Sequence, residues 1–384
     1  MLENRTIKKY YPFLDTFRAL AALWVCIYHI NIFFDLRDVL KGLYPIFFKF
    51  ASIGELGVDV FFVMSGYLIS GLLYPEFEGN LQIRRFYGRR FFKIIPQYLV
   101  ATAVGLYIGH LIEPFIVVYT GLDYFDASYN VASITSHPSN PNILSHFFLY
   151  QNFTTAVGIL SHTWSLAIEE HFYFIFPLLL VVITKISPNV RTRKRILLTI
   201  LCLLLLLPLV LKIYFVQVKH LFPIFIAANR YDAIIFGCLL KLFEPKFESI
   251  PLDRWRTYSG LFIVLGFGIF VCLAQFGFVR YSIFGYPSAY LAAGLLILAF
   301  MREEYPGGWL RRAVNNKWMV SIGRASYGIY LWHYILIYCF HQFEPALGTA
   351  PTVVLYLAAT IAVGYASTYS IEKYFLKVRA RLIP

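Results

Sequence analysis

The chain has 384 residues, of which 59% are hydrophobic and 14% charged, with a mean hydropathy of +0.64. That composition excludes an ordinary soluble domain and predicts an all-α polytopic membrane protein of about ten transmembrane helices in one membrane domain. A formal net charge of +13 raises the question of a nucleic-acid partner, which only the placement of the cations can answer.

The first apolar run, LDTFRALAALWVCIYHINIFF over residues 14–34, is long enough to cross a hydrocarbon core of roughly 30 Å. It nevertheless carries Asp15, Arg18 and His29. Ionisable groups inside a bilayer persist mainly where they line a protein interior or an aqueous cavity. Arg18 and His29 are 11 residues apart, about three turns plus 20°, so they share one face with an axial separation of roughly 16.5 Å. An arginine near a helix end also snorkels, and a lone histidine on an apolar face is often a core residue. The three together on one stripe point to a working site. The segment before this run, MLENRTIKKYYPF, is basic like a signal peptide, but no small-residue cleavage pattern follows it, so it is expected to be retained.

Further apolar runs follow at about 54–74, 94–113, 163–184, 195–216, 223–243, 258–278, 287–301, 325–343 and 351–371. With the N-terminus inside, 26 of the 34 lysines and arginines fall on the inner side, which predicts cytoplasmic termini. The positive charge is therefore a topology signal, and the nucleic-acid reading falls. All five cysteines sit in apolar runs without metal-ligand spacing, so neither a disulfide framework nor a metal site is expected.

Two segments stand apart from simple connectors. The inner stretch IRRFYGRRFFKIIP holds Arg84, Arg85, Arg89, Arg90 and Lys93 within ten residues. It reads either as an anchor at the lipid headgroups or as a phosphate site, with Arg85 and Arg89 spaced i, i+4 as a clamp. The outer stretch from about 114 to 162 has no lysine or arginine and is rich in Ser, Asn, His, Tyr and Thr. It reads as a lid or acceptor surface, or as a plug over the bundle.

Counting inward from the predicted outer ends places His29, Asp59, Glu169, Glu170, Arg230 and Asp232 within roughly 15 Å of the outer boundary, with His333 closer to mid-membrane. Such a layer predicts an outward-opening polar chamber, or else a buried ion-pair network that sets helix register.

Six stretches in order carry a resemblance: LDTFRALAALWVCIYH, GVDVFFVMSGYLIS, RRFFKIIPQY, HTWSLAIEEHFYFIFPLL, RYDAIIFGCLL and ASYGIYLWHYILI. Together they resemble the acyltransferase-3 family of integral membrane O-acyltransferases. The resemblance implies a ten-helix bundle that moves an acyl group, usually acetyl from cytoplasmic acetyl-CoA, to a hydroxyl of an exported or cell-surface carbohydrate such as a lipopolysaccharide or exopolysaccharide. It implies residence in a bacterial plasma membrane. The family's arginine and histidine map onto Arg18 and His29, and its Trp-Ser-Leu-x-x-Glu motif onto Trp164, Ser165, Leu166 and Glu169. One departure is Lys93, which stands where an arginine is usual and offers a point charge in place of a bidentate fork. No segment of the size of an appended SGNH hydrolase-like domain follows the last run, so the membrane domain over 1–384 is expected to do the whole transfer.

The residue pattern agrees with that chemistry. Arg84, Arg85, Arg89, Arg90 and Lys93 would hold a CoA nucleotide at the inner face with Arg18 nearby, and its arm would run up the stripe toward His29. A neutral histidine suits the base that takes a sugar hydroxyl's proton, and Glu169 would orient the ring. Asp59, Trp164, Glu170, Arg230, Asp232 and His333 would line the chamber. No metal or bound cofactor is required; acyl-CoA is a substrate. The competing class is a transporter or flippase, but no second copy of the Arg18–His29 helix or of the Trp164 motif is visible.

Overall fold

A computed structural model describes residues 10–79, 81–112, 143–153, 158–217, 230–275, 284–304 and 306–383. Among them the chain is all helix. The ten longest helices, numbered here α1 to α10, are Pro12–Phe33, Gly57–Glu78, Ile83–Ile112, Trp164–Ile186, Val190–Gln217, Asp232–Glu248, Leu252–Leu273, Tyr286–Phe300, Ser326–His341 and Thr349–Ser367. They stand at the ten predicted positions. Most of the outer stretch, 113–142 and 154–157, lies outside the described residues, as do 223–229 of the sixth predicted run and 276–278 of the seventh.

Seven helical stretches are long and apolar enough to cross a membrane among the described residues. The helices α6, α8 and α9 are shorter, at 17, 15 and 16 residues. Their burial supplies the reason: eleven of the 15 positions of α8, for example, are buried against other helices. A helix enclosed by neighbours takes its length from them and not from the lipid. α5 and α7 instead expose large apolar side chains, among them Leu203, Leu206, Val210, Val264, Phe267 and Val271.

The helix ends differ from the hydropathy runs where basic residues stand. α3 begins at Ile83, eleven residues before the predicted span, because the apolar stripe Phe86, Ile94, Tyr98 and Ala101 continues with helical period through the cations. Pro96 lies inside this helix, and Pro75, Pro177, Pro208 and Pro245 lie inside α2, α4, α5 and α6. Interior prolines are tolerated in membrane helices because neighbours re-satisfy the freed carbonyls.

Small residues set the closest packing. α2 and α6 cross at Gly66 and Gly237, where a Cβ on either glycine would collide with the partner backbone, at the Ile234 and Val63 carbonyls respectively. In lipid this approach replaces the hydrophobic drive that is absent between apolar helices. α1 lies centrally, packed on α2, α9 and the short helix Lys317–Arg324, while α9 also packs on α10 and α3. Both predicted landmarks of α1 therefore face protein.

Candidate active site

A cavity of about 210 Å³ opens between α1, α2, α3, α4 and α9. Its α2 wall runs from Val58 to Leu72, an axial length of about 21 Å. Arg18, Arg90 and Lys93 line it, and so do Glu169 and Glu170. The guanidinium of Arg90 lies 5.0 Å from the Tyr173 ring centroid. Arg18 approaches Asp15 at 4.0 Å, and Asp15 also accepts from the Tyr10 hydroxyl at 2.6 Å. Glu169 accepts from Ser65 at 2.7 Å and lies 3.2 Å from the Tyr173 hydroxyl. Three cations and two carboxylates thus share a space whose other walls are aromatic and aliphatic, among them Phe61, Leu72 and Tyr327.

Arg84, Arg85 and Arg89 do not join the cavity. They are exposed on α3, where Arg85 donates to the Gln82 side chain at 3.3 Å. Neither member of the i, i+4 pair Arg85 and Arg89 lines the cavity. Residues 85 and 89 do share a face, but the stripe through Phe86 and Ile94 decides that this face points away from the bundle.

His29 is also outside the cavity lining. It is half-buried, and its Nδ1 lies 3.0 Å from the Val25 carbonyl and 3.2 Å from His333 Nε2. Tyr334 packs edge-on against its ring at 4.7 Å between centroids. Glu169 does not orient His29; its partners are Ser65 and Tyr173, so that pairing is corrected. Counting residues along two helices says nothing about which of their faces turn together. The Tyr330 side chain lines the cavity, its hydroxyl donates to the His162 carbonyl at 3.0 Å, and Ser165 Oγ lies 2.7 Å from it. Behind it stand the rings of His162 and His333, 5.7 and 5.2 Å away between centroids.

Asp59, Arg230 and Asp232 form a third group. Arg230 pairs with Asp59, and its guanidinium lies 4.0 Å from the Tyr286 centroid and 5.1 Å from that of Trp164. Lys212 pairs with Asp232 at 2.8 Å. All four charged side chains are buried, and Tyr286 continues the network to Glu55 at 3.2 Å. These pairs tie α2, α5, α6 and α8 together. The single polar chamber expected at one depth is therefore three sites: a cationic cavity, a histidine cluster and an ion-pair network. None of the third group lines the cavity.

Sequence reading missed Ser65, Tyr173, Tyr330 and His162. Tyrosine and serine are common in apolar runs and carry no charge, so nothing singles them out there as an ionisable residue is singled out. His162 had a signal, since it stands two residues before Trp164 in the polar start of the same motif stretch. Among the described residues no group of three or more His, Cys, Asp or Glu side chains is arranged to hold a metal ion.

Comparison with known proteins follows the same outline. A family model described as an acyltransferase domain, the acyltransferase-3 model, matches residues 11–369. The O-acetyltransferase OatA of Staphylococcus aureus strain NCTC 8325 is 29% identical over 343 residues, covering 88% of this chain and 52% of the relative. The peptidoglycan O-acetyltransferase OatA of Listeria monocytogenes is 30% identical over 339 residues, covering 87% and 50%. The chain thus spans about half the length of these curated relatives. No solved structure matches it.

Proposed function

The chain belongs to the acyltransferase-3 family, matched over residues 11–369, and from that premise we propose that it is a membrane O-acetyltransferase that carries acetyl groups from cytoplasmic acetyl-CoA to hydroxyls of a cell-envelope glycan. The observation that carries this reading is the cavity. Its cations Arg18, Arg90 and Lys93 suit the phosphates of a CoA, and its wall includes Tyr330, whose ring lies 5.2 Å from that of His333, the neighbour of His29 at 3.2 Å. The peptidoglycan named for the Listeria relative makes a cell-wall glycan the first acceptor to try. Both termini face the cytoplasm of a bacterial plasma membrane in this reading, which the distribution of lysine and arginine supports. Labelling a Ser139→Cys variant with an impermeant thiol reagent tests that orientation, and modification only from the cytoplasmic side would reverse it.

His29 Nε2 accepts the proton of the glycan hydroxyl while the hydroxyl oxygen attacks the acetyl carbonyl carbon. The carbon–sulfur bond breaks, the CoA sulfur leaves as thiolate, and the proton on His29 returns to it as the thiol. An ester forms, a thioester is consumed, and the histidine ends neutral. Arg18, Arg90 and Lys93 hold the donor, and Tyr330 must turn aside for its arm to reach His29.

Proteoliposomes containing the purified chain, given labelled acetyl-CoA on one face and a glycan on the other, test the reading. Label on glycan hydroxyls with an equal release of CoA thiol is expected. Glycan movement without acetylation would overturn the proposal in favour of a transporter, and no thiol release with any glycan would reject it outright.

A further inference from the structure

The structure holds a second histidine against His29 for which the reaction above has given no task. His333 is fully buried on α9, its Nδ1 bonds the Tyr330 carbonyl within its own helix, and its Nε2 lies 3.2 Å from His29 Nδ1. These contacts decide where the protons sit. A carbonyl oxygen brings no proton, so the ring nitrogen facing it must donate. His333 therefore carries its proton on Nδ1 and presents the lone pair of Nε2 to His29. The Nδ1 of His29 faces that lone pair and the Val25 carbonyl, 3.0 Å away, so it too carries a proton. What remains bare is His29 Nε2, which has no hydrogen-bond partner among the described residues.

We propose that His333 is the positioning residue of the acyl transfer, holding His29 in the tautomer whose Nε2 is the base and accepting from Nδ1–H when the ring becomes charged. The proposal rests on the reading of His29 as that base. In hydrolases of the serine type a carboxylate does this work. Here no carboxylate among the described residues lies within hydrogen-bond distance of His29, and Glu169 is engaged by Ser65 and Tyr173. A neutral imidazole fits the setting better, since an unpaired carboxylate this deep would be costly to bury. The third ring does not compete for the contact: His162 Nε2 donates to the Leu331 carbonyl at 3.1 Å, and its ring packs edge-on against His333 at 5.1 Å between centroids.

Two amide substitutions separate this role from packing. Glutamine places its amide oxygen near the position of imidazole Nε2, whereas asparagine places its polar group near Nδ1. His333→Gln keeps an acceptor for His29, and His333→Asn keeps the tether to Tyr330 but loses that acceptor. In the full chain, His333→Asn and His333→Leu should lower kcat roughly 10- to 100-fold with the KM for acetyl-CoA unchanged, and His333→Gln should restore most of the rate. Ring ¹⁵N signals of histidine-labelled protein, with His29 assigned from a His29→Asn variant, should report Nδ1–H and bare Nε2 in the wild type and in His333→Gln, and mixed tautomers in His333→Leu. Full rate in His333→Asn together with loss in His333→Gln would make His333 a packing residue and overturn the proposal. A wild type inactive in acetyl transfer would defeat the acetyltransferase reading instead, and the ring signals would still decide the positioning: one His29 tautomer throughout would overturn it.

Discussion

Arg85 and Arg90, five residues apart in α3, face opposite sides of the same helix: Arg90 lines the cavity over Tyr173, and Arg85 is exposed beside Gln82. Five positions turn a helix through about 500°, which leaves roughly 140° between the two side chains. Donor binding should therefore depend on Arg90 and Lys93 and not on Arg85. Arg90→Ala and Lys93→Ala are each expected to weaken acetyl-CoA binding about 10- to 100-fold, the worth of one charge-assisted contact, while Arg85→Ala changes it little. Calorimetric titration of the purified variants with CoA measures this, and equal losses in Arg85→Ala and Arg90→Ala would contradict it.

His29 and Glu169 should separate kinetically because they do not touch. His29→Ala is expected to lower the rate of transfer about 10² to 10⁴-fold with donor binding intact. Glu169→Gln disturbs the bonds to Ser65 and Tyr173 in the cavity wall, so its effect should appear mainly in the KM for acetyl-CoA. A Glu169→Gln protein with normal KM and a kcat as low as that of His29→Ala would put the carboxylate in the chemistry after all.

The Asp59–Arg230 pair is expected to act on stability. Both side chains are buried, so Asp59→Ala strands a guanidinium among apolar helices and should cost about 3 to 5 kcal/mol. Removing both charges, as in Asp59→Ala with Arg230→Met, should recover much of that loss. Thermal unfolding of the three variants in one detergent decides the point, and a double variant as unstable as Asp59→Ala would argue against a simple pairing role.

A pH effect is expected at the short helix Ile143–Phe147. Burial pushes the His146 imidazole down to about 4 from its ordinary 6.5. A lowered histidine binds fewer protons folded than unfolded, so its contribution is complete above about 6.5 and is lost as the pH falls toward 4. Tyr98 on α3 donates to the His146 carbonyl at 2.8 Å, so the loss should show as loosening of this helix from α3. Amide hydrogen exchange over 143–153, corrected for intrinsic rates, should accelerate at pH 5 relative to pH 7, and a His146→Gln variant should lack the difference.

Much of the molecule was legible without coordinates. Long apolar runs predict helices, because no other element satisfies a backbone in lipid locally, and helices stand at those positions, seven helical stretches among the described residues being long and apolar enough to cross a membrane. The shared stripe of Arg18 and His29 followed from helical rotation alone, and the excess of inner cations proposed the orientation. What one helix cannot specify is the direction its face takes once neighbours pack on it. That rotation turned Arg85 and Arg89 outward, sent Asp59 to Arg230 and Glu169 to Ser65, and gave His29 a histidine from α9 as its partner. Such contacts join residues as far apart as 304 positions in the chain, and they are decided by where small residues such as Gly66 and Gly237 let backbones close.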